Sequence, residues 1–201
     1  MYLFGASGHG KVVAEIAEDN NIIIYGFIDY DTSKTEIIGY KVLHNIPNEI
    51  IKINISIGNN TIRKEIVKKN DNFIYNTLLH PKTSISKRAE IGEGTVVMAG
   101  STINSCVKIG KHCIINTNSS IDHDCTIHDF VHISPNVALA GNVEVDEGTH
   151  IGIGASVIQG VKIGKWCTIG AGAVIIKDVP DGVTVVGNPG KIIKIKDVSN
   201  L

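Results

Sequence analysis

The 201 residues leave room for one medium domain or two small ones, and 43% hydrophobic with 19% charged residues is a globular composition. No stretch approaches the roughly 18–20 uncharged apolar residues that cross a bilayer, so no membrane is expected as a partner. A net charge of -1, from 19 basic and 20 acidic residues, lacks the field that gathers nucleic acid, so that partner is not expected either.

The chain opens on a short apolar run, Met1 to Phe4, with no basic leader, so a cytoplasmic location is expected. The glycine turn GASGHG follows, then a helix over Lys11 to Asp19 with Val12, Val13, Ile16 and Ala17 on one face. A second apolar run from Ile22 to Ile28 ends at Asp29. A further strand is predicted at Ile53 to Ile57, running into Gly58, Asn59 and Asn60, with a helix carrying Ile62, Ile66 and Val67 after it. This reads as a small, parallel, Rossmann-like α/β domain over residues 1–79.

Gly5, Gly8 and Gly10 lie between a strand and a helix, where backbone N–H groups and the helix dipole hold a phosphate. Their order is GxxGxG, not the dinucleotide GxGxxG, and eighty residues supply roughly one mononucleotide half. One nucleotide is therefore expected. Asp29, nineteen residues after Gly10, stands where an acid reaches a ribose or base; the alternative is a tight turn with a solvent-facing acid.

From Ile85 a six-residue period runs unbroken to Ile175, sixteen aliphatic residues in succession, with a small or β-branched residue four places after nearly every one. Such a unit cannot bury its own apolar residue, so stacking is obligatory. Three units closing a coil of eighteen residues place strands about 4.8 Å apart along the axis. Three of the four cysteines, Cys113, Cys125 and Cys167, occupy the inward small-residue place and read as core residues; Cys106 falls at a turn.

His123 is flanked by Asp122 and Asp124 at the outward places of its hexad, and a carboxylate beside a histidine makes a competent general base. One coil later stands Gly141, whose bare backbone would let a ligand approach and whose N–H could meet an oxyanion. The bland reading is a surface histidine in an acidic corner. His132 and His150, also eighteen apart, should stack. His123 and His128 share an HxxxxH spacing with part of the zinc site of β-helical carbonic anhydrases, but residue 87, two coils before His123, is lysine, so no metal is expected.

The glycine turn, FID at Phe27 to Asp29, IGNN at Ile57 to Asn60 with Arg63, LHP at Leu79 to Pro81, INT at Ile115 to Thr117, IDHD at Ile121 to Asp124, LAGNVEV at Leu139 to Val145 and VGNPGK at Val186 to Lys191 all resemble one group. It is the sialic acid O-acetyltransferase-like and nucleotide-amino-sugar N-acetyltransferase group of hexapeptide acyltransferases, and the resemblance covers nearly the whole chain. It implies a left-handed parallel β-helix over residues 80–186 and a tail, 187–201, closing a CoA site. It further implies acetyl-CoA as co-substrate and a homotrimer with active sites between subunits.

The activity so implied is acetylation of the 4-amino group of a UDP-linked 4-amino-4,6-dideoxy sugar, with GDP-perosamine second, in bacterial surface-glycan or glycoprotein sugar biosynthesis. Sialic acid O-acetylation is the alternative. On the same resemblance Gly8, His9, Gly10, Asp29 and Asn59 line the nucleotide-sugar site, and His123 is the general base supported by Asp124. His132, Gly141, Gly152, Gly170, Pro189 and Lys191 hold acetyl-CoA, with His132 and Gly141 beside the thioester. Asp124 stands where close relatives can carry Glu, and Gly190 where Ala is usual. A non-catalytic β-helix scaffold is the reading from another class; it would need neither the glycine turn nor His123 with Gly141.

Overall fold

The computed structural model describes residues 1–47, 52–70 and 72–198. The N-terminal unit is a six-stranded sheet in the order β3-β4-β2-β1-β5-β6, built from β1 (Tyr2–Phe4), β2 (Gly26–Ile28), β3 (Glu36–Ile37), β4 (Tyr40–Leu43), β5 (Lys52–Ile55) and β6 (Ile74–Tyr75). Helix α1 (Gly8–Asp19) follows β1, and α2 (Asn60–Lys69) follows β5. The expected all-parallel sheet is corrected at one edge, where β3 pairs antiparallel with β4. Ile38 and Gly39, both at positive φ, make a tight turn that lacks the usual Asn-Gly signature.

Alternate residues of β1 divide the core. Leu3 packs with Val13, Ile16 and Ala17 of α1, whereas Phe4 packs with Ile66 of α2. Val12, expected on the buried face of α1, is exposed. Part of the buried face of α1 packs on the second unit, because Leu78, Val96 and Ile114 belong to the same apolar cluster.

That second unit is a three-sided parallel β-solenoid. Its first face stacks Leu78–Leu79, Val96–Val97, Ile114–Ile115, His132–Ile133, His150–Ile151 and Thr168–Ile169; the second stacks Ser84–Ile85 through Val174–Ile175; the third stacks Glu90–Ile91 through Lys162–Ile163. The first strand, Leu78–Leu79, already pairs with Val96–Val97, so the solenoid begins two residues before the expected boundary at 80. The stretch after residue 186 is no simple tail, since Lys191–Ile195 pairs antiparallel with Val183–Val186. The hexad aliphatics and the small residues four places on, Cys113, Cys125 and Cys167 included, form one buried cluster.

Each corner turns on a residue at positive φ, recurring every six residues from Gly94 to Gly172 as glycine, as Asn or Asp at sites such as Asn118, Asp124 and Asn142, and as a residue less suited to that region at Cys106, His112, Phe130 and Trp166. At the corner between the third and first faces, this column runs Gly94, His112, Phe130, Gly148 and Trp166. The N-terminal unit grips all five. Asn54 donates to Gly94 O at 3.1 Å, Arg63 to His112 O at 2.7 Å and Phe130 O at 2.8 Å, Asn60 to Gly148 O at 3.0 Å, and Lys64 Nζ lies 5.0 Å over the Trp166 ring. Residue by residue, the α/β unit is registered against successive coils.

Candidate active site

His123 and Asp124 sit at the corner joining the second and third faces. Asp124 occupies the left-handed corner position, φ 60°, which turns its carboxylate onto His123 Nδ1 at 2.8 Å. Asp122 accepts from the His123 N–H and from Asn104 one coil earlier, both at 2.8 Å. The Asp124 bond, with the Asp122 charge behind it, raises the His123 pKa above its ordinary value. The ring itself is 60% exposed, and its Nε2 faces Gly141, as expected from the eighteen-residue spacing. A Cβ at Gly141 would lie 2.7 Å from that nitrogen. Among the described residues no backbone acceptor meets the Gly141 N–H.

The glycine turn divides its labour. A side chain at Gly10 would collide with the Gly5 carbonyl and press on Phe27, so that glycine lets α1 approach the sheet, whereas nothing lies within 4 Å of a Cβ at Gly8. Ala6, Ser7, Gly8, Lys11, Lys34, Glu36 and Ile37 line a cavity of about 300 Å³ there, with two lysines beside the helix start. Asp29 takes the Ala6 N–H and Lys34 Nζ on Oδ2 and the Asp31 N–H on Oδ1. Burial alone would raise its pKa, but these three donors hold it below the usual carboxylate value. It therefore shapes the turn. A second cavity, about 310 Å³, lies behind it between Gly5, Tyr30, Ile57 and Ile62. Asn59 caps α2 by accepting from the Ile62 N–H.

On the first face the His132 and His150 rings stack with centroids 4.6 Å apart and planes within 1°, the ladder expected from sequence. His9, just inside α1, stands 6.5 Å from His132. His132 Nε2 meets the Asn116 amide at 3.2 Å and its ring also meets the Gly58 backbone, His150 Nε2 meets Ser134 Oγ at 2.8 Å, but His9 Nε2 is buried without a partner. Burial, reinforced by neighbouring His150 and Arg63, lowers the His132 pKa to about 3; burial and Arg63 lower that of His9 to about 4. A face lies opposite the corner that joins the other two. Within one chain, then, His132 is not beside Gly141, and the His9–His132 group does not meet His123.

From the His123 corner an apolar strip descends the solenoid through Ala140, Ile158 and Ile176, the same place in three successive coils. It ends in a cavity of about 460 Å³ lined by Ile176, Lys177, Val185, Pro189, Lys191 and Ile192. Lys177 is three coils from His123, about 14 Å at the usual strand spacing. Gly152 and Gly170 lie elsewhere, on the column flanking the first face. A Cβ at Gly152 would lie 2.6 Å from Ile169 O, and one at Gly170 2.7 Å from Val186, so close coil stacking accounts for both glycines.

His128, which shares the HxxxxH spacing with His123, instead faces Glu144 at 3.3 Å and Asp146 at 3.5 Å. These three could ligate a cation, yet Lys162 already balances Glu144 at 3.1 Å. The clamp of Asn60 and Arg63 on the solenoid is what sequence reasoning missed. Its signal was an i, i+3 polar pair in a helix of alternating charge and apolar character.

Two family models match: the PglD N-terminal domain over residues 1–70 and the bacterial transferase hexapeptide (six repeats) over residues 88–123 and 142–177. A histidine-substituted variant of perosamine N-acetyltransferase from Caulobacter crescentus, in complex with CoA and GDP-perosamine, superposes with a TM-score of 0.92 at 34% identity over 96% of each chain. The chain belongs to the PglD-type hexapeptide-repeat N-acetyltransferases. The acetyltransferase domain of PglB from Neisseria gonorrhoeae FA1090, in complex with acetyl coenzyme A, is another similar PglD-type structure: 39% identity, TM-score 0.89, covering 96% of this chain and 98% of that one. UDP-N-acetylbacillosamine N-acetyltransferase of Bacillus subtilis (strain 168) is 40% identical over 110 residues, which is 48% of this chain and only half the length of that relative.

Proposed function

We propose that this PglD-type chain transfers acetyl from acetyl-CoA to the 4-amino group of a nucleotide-linked 4-amino-4,6-dideoxy sugar, UDP-linked first and GDP-linked second, in the cytoplasm. The observation that carries the reading is the exposed Nε2 of His123, backed by Asp124 and facing the bare Gly141 backbone. CoA or nucleotide-sugar complexes of the relatives support it.

The nucleotide-sugar site is Gly8, His9, Gly10 and Asn59, with Asp29 shaping the turn and Lys11 and Lys34 facing the phosphates. The strip from Ala140 to Ile176 and the Pro189–Lys191 cavity suit an extended pantetheine arm and its nucleotide end. CoA, when bound, supplies an activated acyl group. His123 Nε2 takes the proton from the attacking amine and returns it to the departing sulfur, Asp124 holds Nδ1, and the Gly141 N–H faces the charge developing on the acyl oxygen. This chemistry invokes no metal and no acyl-enzyme.

The split between the His123 corner and the His9–His132 face is resolved when a second copy supplies one of them. The outward residues of the second face, among them Ser120, Ala138 and Ser156, are small, uncharged and exposed, unlike the charged third face and the covered first face. We therefore assign the second face to subunit contact in a homotrimer, with His132 of one copy near the acetyl group held at Gly141 of another.

Calorimetric titration with UDP-, GDP-, dTDP- and CMP-sugars tests the reading. Binding of a UDP- or GDP-amino sugar is expected; exclusive binding of CMP-sialic acid would move the acceptor to a hydroxyl.

A further inference from the structure

Arg63 is 1% exposed, yet among the described residues no carboxylate pairs with it. Every contact of its guanidinium is a carbonyl or amide oxygen: Nε to His112 O at 2.7 Å, Nη1 to Ile57 O at 2.9 Å and Gly58 O at 3.4 Å, Nη2 to Asn60 Oδ1 at 2.9 Å and Phe130 O at 2.8 Å. Asn54 and Asn60 each hold one coil with a neutral amide, whereas the Arg63 fork spans two coils and the Ile57–Gly58 turn at once. A buried cation without a counter-ion is costly, so its position calls for a use that an amide could not serve.

Two groups stand near it. The turn at Ile57–Gly58, held by Nη1, leads directly into Asn59 and borders a cavity of about 180 Å³ with His150, Trp166 and Lys196. The imidazoles of His9 on α1 and of His132 and His150 on the first face lie within the field of its charge. Asn116 and Ser134 are the neutral partners those rings meet from the solenoid.

We propose that Arg63 is a positioning residue of the active site: through the carbonyls of His112, Phe130, Ile57 and Gly58 it sets where the nucleotide-binding domain stands over the His132–His150 face. This rests on the site proposed above. The charge has a second effect, adding to burial in keeping the three imidazoles neutral, so that their nitrogens stay available as neutral donors and acceptors.

The test compares the full-length protein with Arg63→Lys, Arg63→Met and Asn60→Ala. Histidine titration followed by NMR needs no substrate: His9 and His132, held at about 4 and 3 chiefly by burial, should titrate at the same pH in Arg63→Lys as in the parent and at a higher pH in Arg63→Met. In kinetics, Arg63→Lys keeps the charge but not the fork, so KM for the nucleotide sugar should rise about tenfold while CoA affinity is unchanged. If Arg63→Met does not fold, Asn60→Ala, which removes one Nη2 acceptor and the Gly148 contact, must show the same rise in KM. Variants that melt at lower temperature but keep parental titration and parental KM would reduce Arg63 to a structural weld and overturn the proposal. If the parent itself fails to bind any nucleotide sugar, the functional reading falls, and the titration alone still decides whether Arg63 governs the imidazoles.

Discussion

Gly141 leaves His123 uncovered: one coil apart, the two are so close that any Cβ on the glycine would lie 2.6 Å from the ring's Cε1 and 2.7 Å from Nε2. Because the ring is exposed and can swing aside, Gly141→Ala should leave the melting temperature within a few degrees of the parent. Turnover should fall about 10- to 100-fold, as the base is displaced and the acyl approach narrowed. Parallel melting and rate measurements check this; an unchanged rate contradicts it.

His123 must be neutral to accept a proton, and its pKa is raised by Asp124 and then Asp122. Turnover should therefore climb with pH along a limb centred above the ordinary value of about 6.5. Asp124→Asn keeps a residue comfortable at positive φ while removing the charge, so the limb should move to lower pH as the plateau drops. His123→Ala should cost roughly 10²–10⁴ in turnover with nucleotide-sugar binding nearly intact. Rate–pH profiles of the three proteins decide it.

If the site forms between copies, defects in different halves complement each other. His123→Ala and His132→Ala, each impaired alone, should regain activity when co-expressed, because mixed trimers contain some sites with both histidines intact. Absence of any gain, with mixed oligomers demonstrated by tagged pull-down, would contradict a site shared by His123 of one copy and His132 of another.

His112 is buried and His9 and His132 are largely so, and desolvation lowers their pKa values to about 4, 4 and 3. Unfolded, they titrate near 6.5, so between those values the unfolded chain binds more protons and stability is lost as pH falls. Thermal melts should drop steeply from about pH 6.5 toward 4, and less steeply in His132→Gln. Equal slopes would show that this imidazole is not neutral in the folded protein.

Much of this was legible in the residues. The six-residue aliphatic period needs stacked coils to bury it, and the eighteen-residue spacing alone put Gly141 beside His123 and His150 on His132. What escaped was non-local or used side chains in unadvertised ways. Asp29 also braces its own turn through both oxygens, and Asn59 also caps a helix, local roles that their spacing does not reveal. Coil packing leaves no room for a Cβ at Gly152 or Gly170, a constraint that the sequence does not show. No spacing rule reveals that Arg63 and Asn60 reach carbonyls 49 to 89 residues away, because the corner geometry that turns those carbonyls outward exists only once the coils have stacked.

The central claim is tested most directly by incubating the protein with acetyl-CoA and a UDP-linked 4-amino-4,6-dideoxy sugar, reading free thiol with a disulfide reagent and product by mass spectrometry. The account predicts one thiol released per sugar acetylated on nitrogen, no lasting acetyl adduct on the protein with acetyl-CoA alone, and loss of both signals in His123→Ala. Parental turnover in His123→Ala, or a stable acetyl-protein, would contradict it.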